Sequence, residues 1–363
     1  MGHSNLLSFN MPPISKGGLL GVLSGAGGGG AGAEFFQLIK TVTATGTTDT
    51  LDSGTIDAFD NLMFIGYKLS SGTADMVFQV NSDNSNNYAY RKQDNGGSDG
   101  TNTPTNRLLG DNGGYSTPSF QIGFINNIQD ENKLMIGKAI GQNTAGAGNV
   151  PIRRESVSIW NENDRITSVQ AINLESGSLA SGSELVVMGY NNDVTSGGST
   201  WEQLAHVELD ANADSMDSGT FDVKKYLMFQ IQYTGTGGNV VNSIRFNGTT
   251  GSEYARRGSD NGGSDQTDGS ETQITNGLNS DISSGDSAIM TGYIVNIQDE
   301  EKLVIAELTS NDSGTGTGTG TDMADFVGKW ANTSDNITSI QVPDLSGGKY
   351  TTGSTITVWG FDP

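Results

Sequence analysis

Cysteine is absent from the 363-residue chain. Disulfides, thiolate zinc sites and cysteine nucleophiles are thereby excluded, and the redox compartment leaves no mark on the sequence. Histidine is nearly absent: His3 and His206 are the two copies, too few to build a histidine metal cluster or a Ser–His–acid set. Long apolar runs are missing too, none approaching the roughly 20 residues that a bilayer-crossing helix needs. Basic side chains are scarce, 19 Lys and Arg against 41 Asp and Glu, for a net charge of −22. A field of that sign repels phosphate backbones and anionic membranes and keeps a surface well solvated. Neither nucleic acid nor membrane is therefore expected as a partner. No Walker loop or dinucleotide fingerprint occurs, so no cofactor is expected, and the missing catalytic equipment points away from an enzyme.

What the chain does contain, it contains twice. Leu51-Asp-Ser-Gly-Thr-Ile-Asp-Ala-Phe-Asp-Asn-Leu-Met-Phe64 returns as Met216-Asp-Ser-Gly-Thr-Phe-Asp-Val-Lys-Lys-Tyr-Leu-Met-Phe229. Tyr88 to Asp99 returns as Tyr254 to Asp265, and Gly123 to Glu131 as Gly292 to Glu300. Trp160, Ile166-Thr-Ser168 and Gly189 find counterparts in Trp330, Ile337-Thr-Ser339 and Gly360. The offset grows from 165 residues at Leu51 to 171 at Gly189, so the insertions are small and the order holds. A fixed period of this kind marks one domain duplicated in tandem.

Glycine (52 residues) far outnumbers proline (7), and hydrophobic residues make up 34% of the chain. That balance suits many short strands joined by tight turns. Runs such as Leu62–Tyr67, Met76–Val80, Phe120–Ile125 and Leu185–Met188 are bounded by Gly, Asn, Asp or Ser clusters, as strands are. In Leu227-Met-Phe-Gln-Ile-Gln-Tyr233, Leu, Phe, Ile and Tyr alternate with Met and Gln, so one face is expected inward and the other toward water. The fold class expected is all-β, with two tandem antiparallel β-sandwich, jelly-roll-like domains. Trp160 and Trp330 are expected in equivalent buried places. The boundaries read as an N-terminal glycine-rich arm (1–33), domain 1 (34–190), a polar linker (191–200) and domain 2 (201–363). Ala31-Gly32-Ala33 is similar to a signal-peptide cleavage pattern, but the apolar core before it is brief and broken by glycine. The arm is instead expected to lie along a neighbouring subunit. Gly314 to Thr321, a Gly-Thr repeat, reads as a loop tip.

Three groups of residues are candidate sites. The acidic loops Asp94–Asp99 and Asp260–Asp265 offer Asp94, Asp99, Asp260 and Asp265 as oxygen ligands for calcium. Their spacing fails the calcium-loop pattern, and Asn-Gly is a turn signal, so a turn is the stronger expectation. Gln129-Asp-Glu131 and Gln298-Asp-Glu300 sit between strand-like runs and read as hairpin connections, with no acid–base role. Tyr88, Arg91, Tyr254 and Arg257 are candidate partner contacts through stacking and forked hydrogen bonds, set against the plainer reading that they cover a sheet edge.

The second half carries a further resemblance. Ile244-Arg-Phe-Asn-Gly248, Tyr254-Ala-Arg-Arg257, Trp330-Ala-Asn-Thr-Ser-Asp-Asn-Ile-Thr-Ser-Ile-Gln341 and Tyr350-Thr-Thr-Gly-Ser-Thr-Ile-Thr-Val-Trp-Gly-Phe361 resemble a module of tailed-bacteriophage virion proteins. The resemblance covers most of residues 216–361 and is fainter in the first half. It implies a β-sandwich in phage particles and brings no catalytic residues with it. The function expected is a non-enzymatic virion structural protein, a capsid decoration or appendage subunit on the particle exterior, assembled in the host cytoplasm. Its expected partners are other virion proteins, reached through the arm, and further copies of itself as a homo-oligomer, with a trimer as the guess. The alternative is a tail-fibre or adhesin-type protein binding a host surface glycan, with Tyr88, Tyr90 and Tyr254 in its loops.

Overall fold

The computed structural model describes residues 36–103, 107–108, 114–192, 200–275, 282–311 and 321–363. The arm, most of the linker and the Gly-Thr repeat up to Gly320 lie outside the described residues.

No helix occurs among the described residues. The first half forms β1 (Gln37–Thr43), β2 (Thr50–Asp52), β3 (Asn61–Lys68), β4 (Ser70–Ser71), β5 (Val77–Val80), β6 (Tyr88–Asp94), β7 (Gly100–Asn102), β8 (Ser119–Asn126), β9 (Lys133–Gly141), β10 (Ile152–Trp160), β11 (Val169–Ile172), β12 (Ser178–Leu179) and β13 (Glu184–Tyr190). The second forms β14 (Glu202–Glu208), β15 (Ser215–Asp217), β16 (Tyr226–Thr236), β17 (Ser243–Phe246), β18 (Tyr254–Asp260), β19 (Gln266–Glu271), β20 (Ile274–Thr275), β21 (Ser287–Val295), β22 (Lys302–Ser310), β23 (Asp322–Trp330), β24 (Ile340–Pro343), β25 (Lys349–Tyr350) and β26 (Thr355–Phe361).

The halves repeat strand for strand. The large sheet of the first runs β1-β13-β3-β8-β9-β10-β6-β7, that of the second β14-β26-β16-β21-β22-β23-β18-β19. The small sheets run β2-β11-β5 and β15-β24-β17-β20. Even the added pairing of β20 has a counterpart, since Ile244 pairs with Ile274 where Phe78 bridges Leu108. All pairings are antiparallel, and the chain switches repeatedly between large and small sheet, in the manner of a jelly roll. The fold is two tandem antiparallel β-sandwiches.

Local sequence explains the corners. Asn95 and Gly96 take φ of 54° and 66°, and Asn261 and Gly262 take 51° and 70°. Two successive left-handed residues make the hairpin turn whose twist matches the strands on either side. The tyrosine-led runs before these turns, not recognised as strands from their polar composition, are β6 and β18.

Each sandwich closes on its own core: Leu62, Phe64, Phe78 and Trp160 in the first, Leu227, Phe229, Phe246 and Trp330 in the second. Trp160 and Trp330 are 3% and 0% exposed, at equivalent places. A third core lies between the sandwiches. Met63, Ile65, Tyr67, Phe120 and Ile122 from the outer face of one large sheet pack with Trp201, Leu303, Ile305, Val327 and Trp359 from the other. The expectation that the outer face of β16 looks to water is corrected here. Met228 packs against this third core, and Gln230 and Gln232 are half-buried. In β3 every residue after Asn61 is buried, because both of its faces are covered. The order of layers is small sheet, large sheet, large sheet, small sheet.

Candidate functional site

The repeated motifs are spent on holding the fold. Asn81 and Asn247 sit at φ of 52° and 50°, a region in which Asn is tolerated. From there Asn247 accepts from the amides of Thr338 (2.8 Å) and Ser339 (3.1 Å) and donates to the Asn336 carbonyl (2.8 Å). Asn81 makes the matching set with Thr167, Ser168 and Arg165. Asn127 and Asn296, buried in the Asn-Ile-Gln-Asp-Glu segments, accept from Ile166 (2.6 Å) and Ile337 (2.7 Å). Ser53 and Ser218 of the Asp-Ser-Gly-Thr segments accept from Val169 and Ile340, each at 2.9 Å. Side chains here replace a missing ladder partner, because irregular backbone beside a core must still satisfy its polar groups.

Two lysines missed in sequence complete this scaffold. Lys133 and Lys302 are fully buried. Lys302 donates to the carbonyls of Glu300 (2.8 Å) and Asn332 (3.1 Å), and Lys133 to those of Glu131 and Glu162. Burial holds both ammonium groups below the usual lysine range, against the pull of nearby carboxylates. Their ammonium groups cross-link the Gln-Asp-Glu hairpin to the loop after the tryptophan. Those hairpins turn at Asp130 and Asp299, at φ of 64° and 67°. Asp130, Glu131 and Asp299 are exposed and Glu300 is half-buried.

The four aspartates proposed as calcium ligands do not converge. Asp94 is held by Arg154 (Nε, 2.5 Å) and Lys92 (2.6 Å). Burial would raise its pKa, but hydrogen bonds from those two cations hold it below the usual carboxylate range. Asp99 pairs with Arg91 at 2.9 Å on the surface. Asp265 accepts from Arg153 at 2.6 Å, across the boundary between sandwiches, and Asp260 closes the β18 end of the Asn-Gly turn. Among the described residues no group of three or more His, Asp or Glu is placed to hold a metal ion.

The aromatic candidates are corrected more firmly. Tyr88 and Tyr254 are 2% and 0% exposed, each with its hydroxyl on the backbone of an adjacent strand: Tyr88 donates to Val80 (3.1 Å), Tyr254 to Phe246 (3.3 Å). A tyrosine in a core needs such a partner, and this takes both out of reach of any ligand. Arg257 donates to the Pro151 carbonyl of the other sandwich at 2.7 Å. Arg91 alone of the four stands on the surface. His206 is exposed, its Nδ1 2.8 Å from the Thr357 hydroxyl.

A ring of polar contacts surrounds the third core. Tyr226 and Lys225 donate to Glu184 at 2.8 and 2.9 Å. Lys329 reaches Gln142 (2.8 Å) and Glu301 (3.3 Å). Lys138 pairs with Glu307 and, at 2.6 Å, with Asp325. Arg153 also meets Glu155 at 2.5 Å. Burial raises the Glu155 pKa, and Asp325 adds to this against the pull of Arg153. These residues fall where the two repeats disagree: Lys138 aligns with Glu307, Arg153 with Met323, Glu184 with Thr355. Disagreement between copies was the available signal, since contact between sister modules must break their equivalence.

Beside Lys138 the sandwiches part. A cleft of about 530 Å³ opens there, with Ile136 and Val157 on one wall and Ile289, Thr309 and Met323 on the other. Both modules line this concave surface, together with the exposed apolar side chains of Ile136, Val157 and Met323.

No protein-family model matches the chain, and no curated protein matches it. Among solved structures, mouse laminin alpha1 chain domains LG4-5 align over 88% of this chain and 88% of that one at 11% identity, with a TM-score of 0.20. The LG1-3 region of the laminin alpha2 chain aligns over 88% of this chain and 62% of that one at 6% identity, also with a TM-score of 0.20. Likeness at this level carries no argument about function.

Proposed function

We propose that the chain is a non-enzymatic structural protein of a bacteriophage virion, a capsid decoration or appendage subunit on the particle exterior. The observation that carries this reading is the use made of the repeated motifs. Their polar side chains are committed to backbone groups of the same sandwich, which makes them scaffold, and the two scaffolds are joined by a shared core into one block. Such a block suits a role in which shape and repetition matter, where many weak contacts on a lattice add up. Its charge of −22 suits an outer surface better than one facing packaged DNA. Other virion proteins, reached through residues 1–33, and further copies of the chain, as a closed oligomer such as a trimer, are its partners in this reading. The protein is assembled in the host cytoplasm and resides in the particle.

The test is a quantitative gel of purified virions. Hundreds of copies per particle support a shell component, a few to tens an appendage, and absence from particles defeats the reading. The glycan-binding alternative loses two of its three aromatics, Tyr88 and Tyr254, to the cores; only Tyr90 remains half-exposed.

A further inference from the structure

Leu134, Ile136 and Val157 in the first module align with Leu303, Ile305 and Val327 in the second, residue for residue identical. In the second module these three are 0%, 3% and 2% exposed; in the first they are 59%, 62% and 50% exposed. The same apolar triplet is thus covered by the sister module in one copy and bare in the other. Isolated exposed hydrophobics need no explanation, but a contiguous patch marks a contact surface. In the closed half of the interface the triplet meets the face that bears Phe120, Ile122 and Ile140. The aligned residues facing the open half are Ile289, Thr291 and Thr309. Smaller and more polar side chains there leave the cleft of about 530 Å³ unfilled.

We propose that this cleft is the docking site of the chain's own N-terminal segment, whose apolar residues between Leu6 and Leu23 cover Leu134, Ile136 and Val157. Three observations choose this occupant. The described chain begins at Phe36, whose ring lies 5.7 Å from that of Phe124, and Phe124 is the register partner of Ile136. The entry point is therefore one ring contact plus one strand spacing from the patch, about 10 Å, and the residues between Leu23 and Phe36 span that distance several times over at about 3.3 Å each. The segment is also of the right chemistry: Leu6, Leu7, Phe9, Leu19, Leu20, Val22 and Leu23 are apolar, and Lys16 is the one charged side chain in residues 1–33. It escapes the repulsion that a net charge of −22 imposes on a second copy's acidic surface. Tethering supplies the remaining advantage, since a linked segment reaches its site at a high effective concentration. In an assembly the same contacts serve the arm of a neighbouring copy, because exchange of an identical element keeps every contact.

The lack of cysteine makes the test direct. Ile136→Cys is introduced into the full chain, and its rate of labelling by a maleimide is compared with that of Asp222→Cys at an exposed position. A second form carries Ser in place of Leu6, Leu7, Phe9, Leu19, Leu20, Val22 and Leu23. Labelling at position 136 should be slower than at position 222 by about tenfold or more, as for a site exposed by local opening alone, and the serine form should remove the difference. Equal rates in the full chain overturn the proposal. Protection that survives the serine substitutions also overturns it, because another surface then covers the patch.

Discussion

The Arg153 guanidinium of the first sandwich donates to the Asp265 carboxylate of the second at 2.6 Å, with 4% and 2% of the two side chains left exposed. Each ion is out of water, so each depends on the other. Removing Asp265 leaves the buried Arg153 with Glu155 as its remaining carboxylate partner, and removing Arg153 leaves the buried Asp265 with Arg257 at 3.8 Å. Asp265→Ala is predicted to destabilise the protein by about 3–5 kcal/mol, while an apolar pair, Arg153→Met with Asp265→Leu, should recover most of that loss. Urea unfolding of the two variants measures both effects.

The asparagine brackets should matter as much in one module as in the other. Asn247→Ala removes the side-chain hydrogen bonds to Thr338, Ser339 and Asn336 and the side chain that tolerates a φ of 50°. A loss of about 2–4 kcal/mol is expected, with a similar value for Asn81→Ala. A small effect at either site, read by denaturant titration, would contradict the view that the repeated motifs are scaffold.

Asp94 gives a pH signature. Its pKa is depressed in the fold by Arg154 and Lys92 despite burial, so its contribution is present above the unfolded carboxylate value of about 3.9 and is lost as pH falls through the folded one. Asp94→Asn should lower Tm at pH 7, and the gap from the parent protein should shrink below about pH 4. Melting curves across that range check the sign, and a gap that widens in acid would be wrong for this mechanism.

Position in the repeat does not fix cost. Ile305→Lys places a charge in the third core and is predicted to destabilise by more than about 3 kcal/mol, whereas Ile136→Lys, at the aligned position, should cost less than about 1 kcal/mol in the form whose N-terminal apolar residues are replaced by serine. Paired chemical denaturation of the two variants compares them directly.

Much of this architecture was legible in the chain, for a physical reason. Internal strands such as β3 and β16 are short apolar runs between turn residues, and duplication doubled each signal. The inward set Leu227, Phe229, Ile231 and Tyr233 followed from period two alone. The strands β6 and β18 escaped because their residues are polar and aromatic. The outward face of β16 departs from expectation for a different reason: alternation says which residues share a face, and nothing about what lies over it. Tyr88 and Tyr254 sit in the cores and not at a ligand surface, and a tyrosine that stacks on a ligand and one bonded to backbone in a core look alike in sequence. The cross-module pairs of Lys138, Arg153 and Lys329 depend on how two sheets stack, which no local pattern encodes.

The central claim is that two copies of one sandwich are fused through a shared core into a single body. Differential scanning calorimetry of the full chain tests it most directly. The account predicts one cooperative transition whose calorimetric and van't Hoff enthalpies agree, and its division into two transitions in Ile305→Lys. Two separate transitions in the unmodified protein would contradict it.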